Sequence, residues 1–332
     1  MGGFFESPRL LLAPMAGVSD EVFRFLAKEQ GADLAYTEMV SAKGLSYASK
    51  KTRKLLELGD GEDRIAVQIF GHEPDTMAAQ AAWVEDVLGE ALVYLDINMG
   101  CPARKITGKG DGAALMNDPD LAARIVASVC AAIEHPVAVK FRRGYDEGVE
   151  TCVDFARRME DAGAASMVVH GRYARQMYRG RSDRGAIARV RQAVCVPVIA
   201  NGDAVDAGSA LDLVRETGCP SIMIARGAQG NPWVFSQVKA ALEGRVVPGF
   251  PTVRERIDMA RRHARLLAER SEGEIVRMRK HAMWYVAGIP GASAARARFT
   301  RCSTLSDFDA VLDDMIEQAA LHDALDARCG HV

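Results

Sequence analysis

The 332-residue sequence predicts an α/β fold, namely a (β/α)8 TIM barrel followed by a small C-terminal helical domain. Three observations support this prediction. Between residues 8 and 240, short apolar segments of strand type alternate with amphipathic helix patterns. The alternation occurs eight times, which is the number of βα units in a closed barrel of this class. After a Pro-Gly-Phe-Pro segment at residues 248–251, the strand patterns stop and only helix patterns follow.

Each predicted strand is a short apolar run that stops at a polar residue or a turn. The eight predicted strands are Leu10–Ala13, Leu34–Thr37, Ile65–Phe70, Val93–Asn98, Val137–Phe141, Ser166–His170, Val196–Ala200 and Ser221–Ala225. Helix patterns lie between them at Asp20–Gln30, Pro74–Leu88, Asp118–Glu134, Thr151–Asp161, Gly185–Ala193 and Asp206–Thr217. The connection after the second strand is long and has no clear pattern, and a further helix is expected from Pro232.

The Pro-Gly segment divides the chain into a predicted catalytic barrel, residues 1–247, and a predicted helical domain, residues 252–332. Helices are expected there at Thr252–Arg270, Glu274–Ala287 and Ser306–Ala327. The net charge of the whole chain is −2, but residues 252–301 carry 12 Lys+Arg against 5 Asp+Glu, a net of +7. A basic segment on a nearly neutral protein favours contact with a polyanion, although a solvated helix surface explains the charge equally well.

Composition excludes several classes of protein. No apolar run reaches the length needed to cross a bilayer, so no membrane association is expected. The N-terminus lacks a basic region followed by a hydrophobic one, which argues for a cytoplasmic protein without a secretion signal. The seven cysteines form no C-x-x-C pair, and their odd number fits a reducing compartment. Their spacing with the histidines matches no metal site, so no metal is expected. No obligate protein partner is expected either.

A cysteine after the fourth predicted strand is the first candidate for chemistry. Cys101 lies in a Gly-Cys-Pro turn that follows Asn98, and two cations, Arg104 and Lys105, come next. Barrel enzymes place their reacting groups at the C-terminal ends of the strands. The turn is therefore expected to present a thiol to a bound substrate. Polar and cationic residues also end most of the other predicted strands.

The last two predicted strands end in glycine-containing turns, which commonly bind phosphate in this architecture. Gly202 or Gly227 alone would indicate only a tight turn, but together with His170 and Arg226 they favour a phosphate-bearing cofactor. Lys140 lies inside an apolar strand, where a buried ammonium needs an anion or an acceptor. A reduced flavin, a substrate carbonyl or an aldolase-type Schiff base would each satisfy it.

In the order in which its motifs occur, the chain resembles the bacterial tRNA-dihydrouridine synthases, most closely their B-type branch. The resemblance covers nearly the whole chain. The matching segments are Ala13–Gly17, Thr37–Val40, Val67–Gly71, Asp96–Lys105, Val139–Arg142, His170–Arg172, Val198–Asp203, Ala225–Phe235 and Met278–Tyr285.

The resemblance implies an oxidoreductase that reduces a specific uridine of tRNA to 5,6-dihydrouridine, with bound FMN and with NADPH as electron source. Hydride would pass from FMN to C6 of the uracil, and Cys101 would give a proton to C5. Asn98, Arg142 and Tyr178 are candidates for holding the uracil. By motif position, FMN would contact Pro14, Met15, Ala16, Gln68, Lys140, His170, Asn201, Gly202, Asp203, Ala225 and Arg226.

The helical period places Arg261 and Arg265 on one face of the first C-terminal helix, and Arg277 and Lys280 on one face of the next. We expect these cations to bind tRNA phosphates. Trp284 shares the second face, and it either stacks on RNA or packs in the helical core.

Two residues depart from the family pattern, and two other functions remain possible. Asp111 stands where the family usually has Ala, and Ala225 stands where Gly is usual. The second function is that of a small-molecule pyrimidine flavin oxidoreductase, similar to dihydroorotate dehydrogenase, for which a basic helical domain has no evident use. The third is a non-catalytic RNA-binding module, which would need neither the thiol nor the phosphate turns.

Overall fold

The computed structural model describes residue 4, residues 7–271 and residues 273–329; the outermost ends of the two predicted domains lie outside this range. Its centre is a parallel sheet of nine strands. The strands are β1 (Leu10–Leu12), β2 (Leu34–Ala35), β3 (Val40–Ser41), β4 (Ile65–Phe70), β5 (Leu92–Met99), β6 (Val137–Gly144), β7 (Ser166–Tyr173), β8 (Val198–Asn201) and β9 (Ser221–Ile224).

The sheet closes on itself. Its hydrogen-bonded order is β2-β1-β9-β8-β7-β6-β5-β4-β3, and a parallel bridge between Tyr36 and Ala66 joins the end of β2 to β4. Eight strands therefore form the barrel, while the short strand β3 pairs with the C-terminal end of β4. The predicted (β/α)8 barrel is confirmed. Strand β3 was missed, because it lies in the long connection after the second predicted strand, which has no clear apolar pattern.

Helices surround the barrel and continue beyond it. They are α1 (Glu21–Glu29), α2 (Ala42–Ser46), α3 (Lys50–Arg53), α4 (Pro74–Leu88), α5 (Arg104–Thr107), α6 (Pro119–Ala132), α7 (Cys152–Asp161), α8 (Arg184–Ala193), α9 (Ala207–Thr217), α10 (Val234–Leu242), α11 (Val253–Arg270), α12 (Met278–Tyr285), α13 (Ala292–Phe299) and α14 (Leu305–Cys329). Most begin at a side chain that caps the free N–H groups of the first turn. In α9, for example, Asp206 and Ser209 form a capping box.

The barrel interior is filled by one apolar layer. Residues at alternate positions point inward, and this layer consists of Leu11, Ala13, Leu34, Tyr36, Ala66, Tyr94, Ala138, Val168, Ile199 and Met223. The Tyr94 hydroxyl donates to that of Tyr36 within the layer. The opposite faces of the strands pack against the surrounding helices in a larger core.

The C-terminal helices α11 to α14 share a separate apolar core, which also includes Val22 and Leu26 of α1. Ion pairs hold these helices against the barrel, among them Arg262 with Glu29 and Lys54 with Glu274. The prediction of C-terminal helices is confirmed, but α13 was missed because its Ala- and Arg-rich sequence has no apolar period. No helix in the described part of the chain is long and apolar enough to cross a membrane.

Candidate active site

A cavity of about 390 Å³ opens at the C-terminal ends of the strands, a volume typical of small-molecule sites. It contains the predicted thiol and every residue that the family resemblance assigns to the cofactor or the uracil. Those residues are Pro14, Met15, Ala16, Gln68, Asn98, Cys101, Lys140, Arg142, His170, Tyr178, Asn201, Gly202, Asp203, Ala225 and Arg226.

The pleat of the strands explains why so many polar residues meet there. Side chains two positions apart share a face of a strand, so the residues after the apolar layer also point into the barrel. Gln68, Lys140 and His170 each stand two residues beyond a member of that layer. The sequence changes from apolar to polar at the same height on several strands, and this change forms the floor of the cavity.

Cys101 is positioned by the side chain of Asn98. The Asn98 Oδ1 atom accepts the backbone N–H of Gly100 at 3.2 Å and that of Cys101 at 2.9 Å. Its Nδ2 donates to Gln68 Oε1 at 2.7 Å and lies 3.0 Å from the sulfur of Met39. The amide of Asn98 is therefore engaged at both ends, and it holds the cysteine turn in place. The Cys101 side chain is half-buried and lines the cavity.

Arg142 is buried and joins two loops at the cavity wall. Its Nε donates to Gly100 O at 2.8 Å, and its Nη1 donates to Tyr173 O at 3.0 Å and Met177 O at 2.9 Å. Burial lowers the pKa of Arg142 to about 10, so the guanidinium still carries its charge at neutral pH. Three of its five N–H groups hold the backbone, which leaves two for a substrate.

A buried carboxylate lies beneath Lys140. Asp96 accepts a hydrogen bond from Gln68 Nε2, and its other oxygen has no hydrogen-bond partner in the described part of the chain. Burial raises the pKa of Asp96 to about 7 and lowers that of Lys140 to about 8, while the attraction between the two charges opposes both shifts. Lys140 Nζ donates to Asn201 Oδ1 at 3.1 Å. The ammonium is thus held toward the turn after β8.

The turn after β8 is built around Asp203, a non-glycine residue with a φ of +58°. Its Oδ2 accepts bonds from Arg172 Nη2 and from the backbone N–H of Ser182, both at 2.8 Å. Its Oδ1 lies 3.3 Å from Arg226 Nη2. The carboxylate therefore organises the turn, while the turn's backbone remains available to a ligand. The buried hydroxyl of Ser182, close to Gly202, has no hydrogen-bond partner among the residues described.

The cavity has a surplus of positive charge. Its lining contains the cations Lys105, Lys140, Arg142 and Arg226 but a single carboxylate, that of Asp203. Burial first, and then the neighbouring cations, holds the pKa of His170 well below its usual value. An anion bound here would be stabilised by these charges. The Tyr178 ring lies at the open side, 4.7 Å from the Arg226 guanidinium and 53% exposed.

The four cations predicted on the C-terminal helices lie outside the cavity lining. Lys280 lies next to the lining residues Ala16 and Val18, since its Nζ lies 2.9 Å from the place that a Cβ on Gly17 would occupy. Arg277 pairs with Glu21 and Glu274.

Arg261 forms an ion pair with Asp313, whereas Arg265 is exposed. Trp284 packs against the barrel core and meets the His281 ring edge-on, which favours its packing role.

Three residues that support the site were missed in the sequence. Arg172 and Asp96 lie within the matching segments, but their contacts could not be predicted from the adjacent sequence. Arg172 binds Asp203, and Asp96 lies under Lys140. Met39 contributes its sulfur next to Asn98. Asp111, one of the two departures, lies 2.7 Å from His72 Nδ1 and ties the loop after Cys101 to the loop after β4.

Over most of its length, the chain is similar to known dihydrouridine synthases. The model of the dihydrouridine synthase family matches residues 11–322. "tRNA-dihydrouridine synthase B" of Pseudomonas aeruginosa is 39% identical over 313 residues, covering 93% of this chain and 92% of that protein. "Probable tRNA-dihydrouridine synthase 1" of Synechocystis is 36% identical, covering 97% and 90%. The chain therefore belongs to the dihydrouridine synthase family.

Proposed function

We propose that this protein reduces a specific uridine of tRNA to 5,6-dihydrouridine, with FMN as bound cofactor and NADPH as electron source. The relatives named above are tRNA-dihydrouridine synthases, and they align with nearly the whole chain. The observation that carries the proposal is the position of Cys101. Its thiol shares one cavity with Lys140, His170 and the turn after β8.

The cavity suits a flavin mononucleotide. The turn that holds Gly202 and Asp203, together with Arg226, offers backbone N–H groups and a cation to a phosphate. Lys140 and Gln68 lie on the cavity floor, where a ring system resting on the strand ends would contact them. Pro14, Met15 and Ala16 supply an apolar wall at β1.

Bound FMN supplies the hydride that adds to C6 of the uracil. Cys101 then gives its S–H proton to C5, which becomes basic once C6 has been reduced. For this step the thiol must approach C5 directly, and Asn98 holds it at the cavity rim for that purpose. The two remaining N–H groups of Arg142 and the ring of Tyr178 are proposed to hold the uracil while the proton moves.

A uridine within folded tRNA must leave its stack to reach this cavity. We propose that the C-terminal helices, residues 252–332, bind the surrounding tRNA backbone. Arg265 and Lys280 are both exposed, and Lys280 lies at the cavity rim. Arg261 and Arg277 are already paired with carboxylates, so they contribute less free positive charge. Both substrates of this reaction occur in the cytoplasm, where we place the activity.

The second candidate is reduction of a free pyrimidine, as in enzymes similar to dihydroorotate dehydrogenase. It would use the same cavity, but it would not need exposed cations on an appended helical segment. The family assignment also favours the tRNA substrate.

The test is an assay of the purified protein with NADPH and a tRNA transcript that lacks modified bases. We expect a yellow protein, NADPH oxidation that depends on tRNA, and dihydrouridine in the recovered tRNA by mass spectrometry. Dihydroorotate and free uridine serve as competing substrates. Turnover of these small pyrimidines without turnover of tRNA would contradict the proposal and support the second candidate.

A further inference from the structure

A buried group of metal-ligating side chains lies outside the cavity, where the barrel meets the C-terminal helices. Asp20 caps the N-terminus of α1, His263 lies in α11 and His281 lies in α12. Each residue is at most 2% exposed. One ligand atom from each lies within 4.8 Å of the other two. Three segments that are distant in the sequence thus bring one carboxylate and two imidazoles together.

Several polar atoms of this group have no hydrogen-bond partner. The Asp20 Oδ1 atom accepts the backbone N–H of Phe23 at 2.9 Å, but its Oδ2 accepts none. His263 Nε2 and both ring nitrogens of His281 are also unpaired with respect to the described residues. The closest approach, 3.5 Å, is between His281 Nε2 and Asp20 Oδ2. Buried polar atoms are normally satisfied, so this group indicates an occupant.

We propose that Asp20, His263 and His281 bind a divalent metal ion of the zinc class. Zinc is commonly bound by imidazole nitrogen and carboxylate oxygen at about 2.0–2.2 Å, with four ligands in a tetrahedron. Ligand atoms at such distances are about 3.4 Å apart, close to the separation of Asp20 and His281. The ligand atom of His263, which lies within 4.8 Å of the other two, must close to this distance when the metal binds, and water takes the fourth position.

The surroundings of the three side chains also suit a metal. His263 Nδ1 lies 3.3 Å from the Tyr285 hydroxyl, which leaves Nε2 as its ligand atom. Metal-bound histidines usually bond their second nitrogen in this way.

A proton shared by Asp20 and His281 is the competing occupant. The proton would pair two of the atoms but leave His263 Nε2 without a partner, whereas a metal ion would satisfy one atom of each residue. The ion would also join α1 of the barrel to α11 and α12. The sequence spacing did not predict this site, because its ligands belong to segments that only the fold brings together.

The first experiment measures metal in the untagged, full-length protein, purified without chelators, by plasma mass spectrometry. We expect about one zinc ion per chain. After removal of the metal, added Zn²⁺ should raise the Tm, and added Co²⁺ should give the visible absorption of a four-coordinate site. If the wild-type protein holds no metal and neither ion changes its Tm or its spectrum, the proposal is wrong and the shared proton remains.

The second experiment compares His263→Asn with His135→Asn. His135 pairs with Glu85 on the outside of the barrel and serves as the control. The first variant should lose the bound metal and the Tm response to Zn²⁺, while the control keeps both. Retention of stoichiometric metal by a folded His263→Asn protein would overturn the proposal. Both readouts are independent of tRNA and flavin, so they do not depend on the proposed function.

Discussion

At the scale of single residues, removal of the Cys101 thiol should slow the reaction without affecting the binding of flavin or tRNA. We predict that Cys101→Ala lowers the rate of uridine reduction by about 10²- to 10⁴-fold, the range typical of a lost general acid. Flavin content and the Kd for tRNA should stay unchanged, since the Asn98 side chain holds the turn through backbone N–H groups. Rapid-quench kinetics measures the rate. The exposed Cys195→Ala is the control.

Asp96 is predicted to set the charge of Lys140. Burial and the neighbouring Arg142 lower the pKa of Lys140, and the negative charge of Asp96 raises it, which leaves the pKa of Lys140 at about 8. Asp96→Asn removes this attraction, so the pKa of Lys140 should fall and the ammonium should lose its proton at a lower pH. The alkaline limb of the pH–rate profile should then move to lower pH. The exposed Asp63→Asn variant should leave the pH–rate profile unchanged. If the alkaline limb does not move in Asp96→Asn, the charge of Lys140 does not control the reaction rate.

At the scale of elements, Arg142 links two loops that form opposite parts of the cavity wall. Arg142→Lys keeps the charge but cannot reach Gly100 O and the carbonyls of the Tyr173–Met177 loop together. Each carbonyl left unpaired costs about 1–3 kcal/mol. We predict a lower Tm and faster proteolysis of that loop. The exposed Arg157→Lys should change the Tm little, and equal effects of the two substitutions would contradict the linking role.

The turn after β8 leaves no room for a side chain at Gly202. A Cβ there would lie 2.4 Å from Ser182 Oγ and 2.9 Å from the His170 ring, at a φ of +125°. Gly202→Ala should therefore displace the turn and reduce the FMN content of the purified protein, measured from its absorbance. Gly249→Ala is the matched control, because a Cβ at that position meets nothing within 4 Å. If Gly202→Ala keeps its full flavin content, the turn after β8 does not bind the FMN phosphate.

At the scale of the whole molecule, only part of the basic C-terminal segment is free to meet RNA. Arg265→Gln with Lys280→Gln should weaken tRNA binding and reduce the slope of log K against log salt by about two, one per lost phosphate contact. Arg261→Gln should affect stability more than binding, because Arg261 pairs with Asp313. Filter binding at several salt concentrations measures the slopes. The exposed Arg124→Gln variant is the control. An unchanged slope in the double variant would show that Arg265 and Lys280 do not contact tRNA phosphates.

The strands were predicted from a local rule, whereas the full set of cavity residues came from the strand ends together with the family resemblance. Alternating apolar residues mark the inward face of each strand, and the polar residue two positions later marks the cavity floor. The partners of individual side chains were not predictable. The pairing of Arg261 with Asp313, and that of Asp203 with Arg172, depend on where separate elements pack. For the same reason the number of cations in residues 252–301 overstates those available to tRNA.

The tyrosine pair Tyr36 and Tyr94, within the apolar layer, closes the barrel below the cavity. A flavin resting on the cavity floor above this layer would have one face against protein and the other toward the opening. Under the proposed function, the nicotinamide of NADPH and the uracil of tRNA must then visit the same face by the same entrance. Their stays are mutually exclusive, so the enzyme should alternate between a reductive and an oxidative half-reaction. Double-reciprocal plots of the initial rate against NADPH concentration, measured at several fixed tRNA concentrations, should accordingly be parallel lines.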